Sequence, residues 1–235
     1  MTSVLCIDTA SADFALAFAE DGHILRSFAR DGAQDHSRLL LAAIEEVVEG
    51  AKVSGVAVVR GPGSYAGLRV GLATAQGLAL ALGVPIRGVG TMAAIAASVG
   101  DAITAGLAPA RLASEFVAIH PAGRGNFAAQ AFRGGSADGA LYSAAPEELR
   151  GLPLAGEGAA ALGGMEVPPE ARCRAALLLA LPRLADDTSG DVDAIYLREP
   201  NITTPRKPTL AQVPAQALAQ APAPGKQGPA STRPQ

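Results

Sequence analysis

Histidine is scarce in this sequence: His23, His36 and His120 are the only three, and no two stand four apart. One helix face therefore cannot offer two imidazoles to a metal, and no metal site is expected. Cysteine is nearly as rare. Cys6 and Cys173 show no C-x-x-C spacing and read as small buried hydrophobes, which argues against a redox or zinc pair. Aromatic residues make up 4% of the chain and leave few platforms for stacking bases. Acids are missing from residues 201–235, where Arg206, Lys207, Lys226 and Arg233 give a charge of +4 and leave −7 for residues 1–200. So acidic a body is a poor unaided ligand for nucleic acid, whose affinity comes largely from cations that neutralise phosphates. No long apolar run opens the chain, since Met1-Thr-Ser leads directly into Val4-Leu-Cys-Ile7 and Asp8, and a cytoplasmic location is expected. A membrane span is not expected either: the most apolar stretch, up to Pro85, is barely long enough and is interrupted by Arg69, Thr74 and Gln76.

Several familiar catalytic loops are also missing. The turn Gly61-Pro-Gly-Ser-Tyr-Ala-Gly67 follows the apolar strand Val56–Val59 and opens a helix, the order in which many folds present backbone N–H groups to phosphate. However, Leu68 and Arg69 follow where a Walker A loop requires Lys and Ser/Thr, and the dinucleotide fingerprint fails because its third glycine comes one residue late. Ala66 stands where a G-x-S-x-G nucleophile elbow around Ser64 would need glycine. Two readings of the turn stay open, a structural bend and a nucleotide loop using Gly61 and Gly63. In the same way Asp8, at the tip of the first strand beside Thr9, reads either as a turn cap or as a magnesium-linked acid.

What the chain does have is a helix of small residues. Gly67, Gly71, Ala75 and Ala79 recur every four positions and form one stripe, along which another backbone can come close. Leu68, Leu72, Leu78, Leu80 and Leu82 cover the other sides, so the helix is either a core helix sandwiched within one domain or a docking helix for another protein. An earlier helix, about 35–49 with Asp35 as N-cap, holds Leu39, Leu40, Leu41, Ala43, Ile44, Val47 and Val48 on more than one face.

The order of elements is read as β-β-β-α-β-α-β-α over residues 1–100: strands Val4–Asp8, Phe14–Ala19 and His23–Ala29, the first helix, strand Val56–Val59, the second helix, strand Pro85–Gly88 and a helix from Thr91 to Ser98. Residues 101–200 repeat it loosely, with strands Phe116–His120, Asn126–Phe132, Gly139–Ser143 and Leu152–Ala155 and helices Pro146–Leu149 and Pro169–Ala185, and Ala194-Ile-Tyr-Leu-Arg198 ends the folded part. Two related βββαβα lobes facing a cleft are expected. Residues 201–235, rich in Pro, Ala and Gln, read as a disordered extension, with contact to RNA or a partner as the alternative.

Ile7-Asp-Thr9, His36-Ser37, the long motif Gly61-Pro-Gly-Ser-Tyr-Ala-Gly-Leu-Arg69 with Gly71-Leu-Ala-Thr-Ala-Gln-Gly-Leu-Ala79, and Tyr196-Leu-Arg198 together resemble the TsaB (YeaZ) family over about residues 3–200. Its members are dimerisation subunits of the bacterial tRNA threonylcarbamoyladenosine machinery. The resemblance implies the actin-like ATPase (ASKHA, ribonuclease H-like) fold of the α/β class. It implies a non-catalytic role beside the catalytic paralogue TsaD, in threonylcarbamoyl transfer to the adenosine next to the anticodon, and TsaE as the small ATPase of the full complex. Contact with tRNA would be indirect, and the chain alone would pair with itself. ATP or ADP and a metal would act in the partner subunits, with none of its own. His36, Leu39, Leu40, Ala43, Ile44, Val47, Gly67, Leu68, Gly71, Leu72, Ala75 and Ala79 become the expected partner-binding residues, and Asp8, Thr9, Gly61 and Gly63 the nucleotide-binding set if the chain binds nucleotide. On this reading Gly71→Arg or Ala75→Arg abolishes partner binding and spares the fold. The alternative is an actin-like ATPase or transferase active in its own right. Two departures stand out: the family usually has Asp-Ala-Arg and then Glu-Val-Tyr in the second lobe, where this chain has His120-Pro-Ala-Gly-Arg124 and Asn126-Phe127. The TsaD pair His-x-x-x-His is not matched either, because Leu40 stands four residues after His36.

Overall fold

The structure, a computed structural model, describes residues 2–31, 36–184 and 190–197. The first sheet has the order β3-β2-β1-β4-β5, built from β1 (Ser3–Asp8), β2 (Asp13–Glu20), β3 (His23–Asp31), β4 (Gly55–Val59) and β5 (Ile86–Val89). The first three strands meander antiparallel through short turns, while β4 and β5 join in parallel after the helical crossovers α1 (His36–Val48) and α2 (Tyr65–Leu82). Every residue of β1 and β4 is buried, as expected for central strands covered on both faces.

Local chemistry sets the ends of α2. The Ser64 hydroxyl accepts the Gly67 N–H at 3.3 Å as N-cap, and Gly83, left-handed at φ 64°, closes the C-terminus by donating to Leu80 O. Asp35, the expected cap of α1, lies outside the described residues.

The second sheet repeats the plan with β6 (Glu115–Pro121), β7 (Phe127–Arg133), β8 (Ser136–Ala137), β9 (Tyr142–Ala144), β10 (Leu154–Gly156) and β11 (Met165–Glu166). Its order is β11-β10-β6-β7-β8, with β9 also paired to β7. Two short strands thus replace the single one expected over Gly139–Ser143, because Gly139 adopts φ 120° and breaks the extension between them. Helix α3 (Thr91–Thr104) runs past its expected end at Ser98, and Ser98 and Thr104 bond back to the carbonyls of Ala94 and Gly100. A short helix α4 (Pro146–Leu149) and the long α5 (Pro169–Leu184) complete the order.

The two halves exchange helices. Met92, Ile95, Ala96 and Val99 of α3 belong to the core of the second sheet, with Phe116, Ala118, Phe132 and Ala155. Cys173, Ala176, Leu177, Ala180 and Leu184 of α5 belong to the core of the first sheet. Strand alternation fixes which side of β1 each helix meets. Thr9 at the strand end faces α2, where Gly67 and Gly71 give it room, whereas Asp8 faces α5. Residues 190–197, which include most of the expected end of the folded part, form no strand, and Arg198 lies outside the described residues. They run as a strap instead: the Gly190 N–H donates to Ile86 O at 2.9 Å and the Ile195 N–H to Arg60 O at 2.7 Å. Among the described residues no helix is long and apolar enough to cross a membrane.

Candidate functional site

Two places gather the residues that the sequence singles out: the tips of the strands where the two sheets meet, and the exposed side of α1 and α2.

At the strand tips lies a buried ionic cluster. Arg172, in the first turn of α5, is fully buried, as is Asp8, and its Nε donates to Asp8 Oδ2 at 2.7 Å. Nη1 reaches Glu157 Oε2 at 2.9 Å and Nη2 the Ser11 hydroxyl at 2.7 Å. Ser11 donates to Glu157 in turn. His120, ending β6, places Nε2 at 3.3 Å from Ser11 Oγ and 3.4 Å from Glu157 Oε2, with Nδ1 at 3.0 Å from Pro121 O. Residues 8 and 11 come from the first sheet and residues 120 and 157 from the second, so one guanidinium ties both together. Burial would push the Arg172 guanidinium down, but the Asp8 and Glu157 charges and hydrogen bonds outweigh it and hold the group charged. Burial also works against the Glu157 carboxylate. It is outweighed by the hydrogen bond and charge of His120, by Ser11 and by the Arg172 charge, so the acid is held well below the usual range.

This depression has a sign. Because Glu157 holds its proton less tightly in the folded chain than at its ordinary value of 4.5, the unfolded chain takes up the proton first as pH falls. The stabilisation is therefore complete at neutral pH and is lost below that ordinary value. Urea midpoints measured from roughly pH 5 down to pH 3 should fall steadily for the native chain and less for Glu157→Gln, which starts lower at neutral pH. Equal slopes for the two proteins would contradict this account of Glu157.

The fold family implies a nucleotide and its metal between the lobes, and the residues here do not fit them. Asp8 spends one carboxylate oxygen on Arg172 and the other on the Ala10 N–H at 3.0 Å. At the glycine turn, Gly61 adopts φ 108° and Cβ atoms at Gly61 and Gly63 would run into the carbonyls of Ile195 and Ala10. These glycines admit carbonyl oxygens, the wrong end of the peptide dipole for a phosphate. In the matching turn of the second lobe, Glu166 accepts the Gly158 N–H at 2.9 Å and the Ala160 N–H at 3.1 Å, so a carboxylate already occupies the donors. Thr9, the remaining member of the proposed nucleotide set, is buried; its Oγ1 lies against the Cα–H of Gly71 and has no hydrogen-bond partner. Among the described residues no group of three or more His, Cys, Asp or Glu side chains is placed to hold a metal.

The helix surface corrects the expected partner-binding set. Leu40, Ala43, Ile44 and Val47 of α1 and Gly67, Leu68, Gly71, Leu72, Ala75 and Ala79 of α2 are all buried inside the chain. The small-residue ridge admits the chain's own Thr9, with its carbonyl against Gly67 and its side chain against Gly71. Leu39 remains exposed, and the His36 side chain lies outside the described atoms. A different stripe faces outward: Ala66, Ala73, Gly77 and Leu80 are exposed and Val70 half-buried, at intervals of three and four residues. Leu80 is 85% exposed, and Leu41 of α1 54%. Beside the stripe, Tyr65 packs on Tyr196 of the strap with ring centroids 5.0 Å apart, and Arg69 bonds the Tyr65 hydroxyl at 3.0 Å.

These features can be set beside known proteins. A family model described as TsaD, tRNA N6-adenosine threonylcarbamoyltransferase, matches residues 30–114. The Escherichia coli tRNA threonylcarbamoyladenosine biosynthesis protein TsaB is 32% identical over 98 residues, 40% of this chain and 42% of that one. Its Bacillus subtilis namesake is 27% identical over 101 residues, 41% of this chain and 44% of that protein. Over this stretch the chain is similar to TsaB proteins and to the TsaD family model. A tRNA N6-adenosine threonylcarbamoyltransferase of Shouchella clausii is also similar, at 34% identity over 110 residues, 38% of this chain and 33% of the enzyme. The match thus spans less than half of the length of these curated relatives. Over the whole fold, YeaZ from Pseudomonas aeruginosa superposes with a TM-score of 0.64 at 22% identity and covers 84% of this chain and 100% of that one, which shows a shared fold.

Proposed function

We propose that the chain is a non-catalytic subunit of the tRNA threonylcarbamoyladenosine machinery, which pairs with the catalytic paralogue TsaD through the exposed side of α1 and α2. TsaE and tRNA would meet it only within that assembly, and ATP or ADP and a metal would act in the other subunits. Similarity to TsaB and TsaD proteins supports the pathway. Gly77 carries the argument for the surface. Glycine inside a helix costs about 1 kcal/mol relative to alanine. Beyond its chain neighbours and its own helix backbone, no atom of the described residues lies within 4 Å of the place where a Gly77 Cβ would stand, so no packing among them calls for the glycine. Flanked by exposed Ala73 and Leu80, it lets a second backbone approach the helix. The same face can pair two copies of the chain when the partner is absent.

Co-expression with the catalytic paralogue and the small ATPase, followed by sizing and an assay for modified tRNA, tests this reading. Modification is expected only from the mixture. Full modification by the mixture without this chain, or by this chain alone, would overturn it.

A further inference from the structure

The strand-tip cluster does more than fill a cleft with polar atoms. A guanidinium has five N–H donors in a rigid plane, and three of its edges here are directed at three different segments: Asp8 at the end of β1, Ser11 in the following turn, and Glu157 in the turn after β10. The side chain that carries it comes from α5, which is covalently continuous with the second half but packs in the core of the first sheet. Each carboxylate is held from a second direction as well, Asp8 by the Ala10 N–H and Glu157 by Ser11 and His120. A carboxylate at position 120 would set a third acid against one guanidinium. The imidazole present there removes that excess negative charge.

We propose that the Arg172 guanidinium is a built-in cation that latches the two lobes together, standing between the strand tips in place of a bound ligand. Glu166 completes the substitution by supplying a fixed anion to the N–H groups of the second turn. The lobes are thereby locked by the chain itself. Their relation does not wait for a ligand, and the outer face of α1 and α2 is presented in one orientation only. This holds whether or not that face binds the catalytic paralogue.

Chemical complementation tests the latch directly. Arg172→Ala leaves a hole of guanidinium shape between Asp8, Ser11 and Glu157. Its melting temperature, measured on the full chain, should fall below the native value and be partly restored by millimolar guanidinium chloride, far below denaturing levels, but not by equimolar sodium chloride. The native chain should gain nothing. If Arg172→Ala melts like the native chain, or if guanidinium acts on both proteins alike, the latch is wrong. Arg172→Lys serves if the alanine variant does not fold, since it keeps the charge but loses the three-way geometry. Amide hydrogen exchange at 118–120 and 155–158 should then quicken by about tenfold or more relative to β2, whereas unchanged exchange at those segments overturns the proposal. Calorimetry of the native chain with magnesium ATP should give no binding heat, and saturable binding lost in Asp8→Ala would also refute it.

Discussion

Gly71→Arg is expected to abolish folding, not merely partner binding. A side chain at position 71 must start where the Thr9 side chain already sits, on a helix that packs against β1 and β4, with Leu68, Leu72 and Ala75 buried around it. Nothing there can move cheaply: Thr9 directly follows the central strand β1, and its carbonyl in turn abuts Gly67. Overpacking a well-filled core with even a few methylenes costs about 1–3 kcal/mol, and an arginine adds a charge buried without a partner. The sum exceeds about 5 kcal/mol, comparable to the whole stability of many domains. Circular dichroism and solubility on expression report the result, and a folded Gly71→Arg protein would show that α2 does not pack on Thr9. Even Gly71→Ala should lower the urea midpoint, since the added Cβ alone collides with Thr9 Oγ1.

Ala73→Arg and Gly77→Arg, by contrast, should fold normally and lose the catalytic paralogue. Both positions face outward on α2, and a Gly77 side chain meets empty space. Arginine is a good helix former, so Gly77→Arg should even raise the melting temperature of the isolated chain slightly, and Gly77→Ala should stabilise it by about 1 kcal/mol. At an interface of closely packed small residues the same side chain holds the two backbones apart and buries an unpaired charge. Affinity in a pull-down or by calorimetry should fall by two orders of magnitude or more, equivalent to roughly 3 kcal/mol. Native-like binding by both variants would place the docking surface elsewhere.

The comparison between these two pairs of residues shows how far a sequence can be read. The order of strands and helices through α2 and the small-residue composition of that helix were legible, because each depends on local chemistry and on one period of repetition. Which side of α2 faces inward was not. Gly67-Gly71-Ala75-Ala79 and Ala66-Val70-Ala73-Gly77 are both small and apolar, so periodicity could not choose between them, and only the position of Thr9 does. The ionic cluster was harder still, since residues 8, 11, 120, 157 and 172 are brought together by the meeting of two sheets and share no spacing. One signal was available. Arg172 falls four residues before Ala176, on the stripe of α5 that also buries Ala180, and a charged residue on an apolar stripe calls for a buried partner. The path of the strap at 190–197 was not legible for a related reason: it depends on Gly88 and Gly190, which let it lie against β5 and the Arg87 side chain without forming a strand.

The exchange of α3 and α5 between the sheets also bears on how the chain is made. One face of β1, β2 and β4 has no cover until α5 arrives, and α5 begins at Pro169, far along the chain from β4. At ribosomal speeds of roughly 5–20 residues per second, the nascent first sheet spends about 5–20 seconds with an apolar face unprotected. During that interval it is open to chaperones and to other nascent copies. Release of residues 169–184 from the ribosome, not completion of the first hundred residues, is the moment at which this protein can first fold.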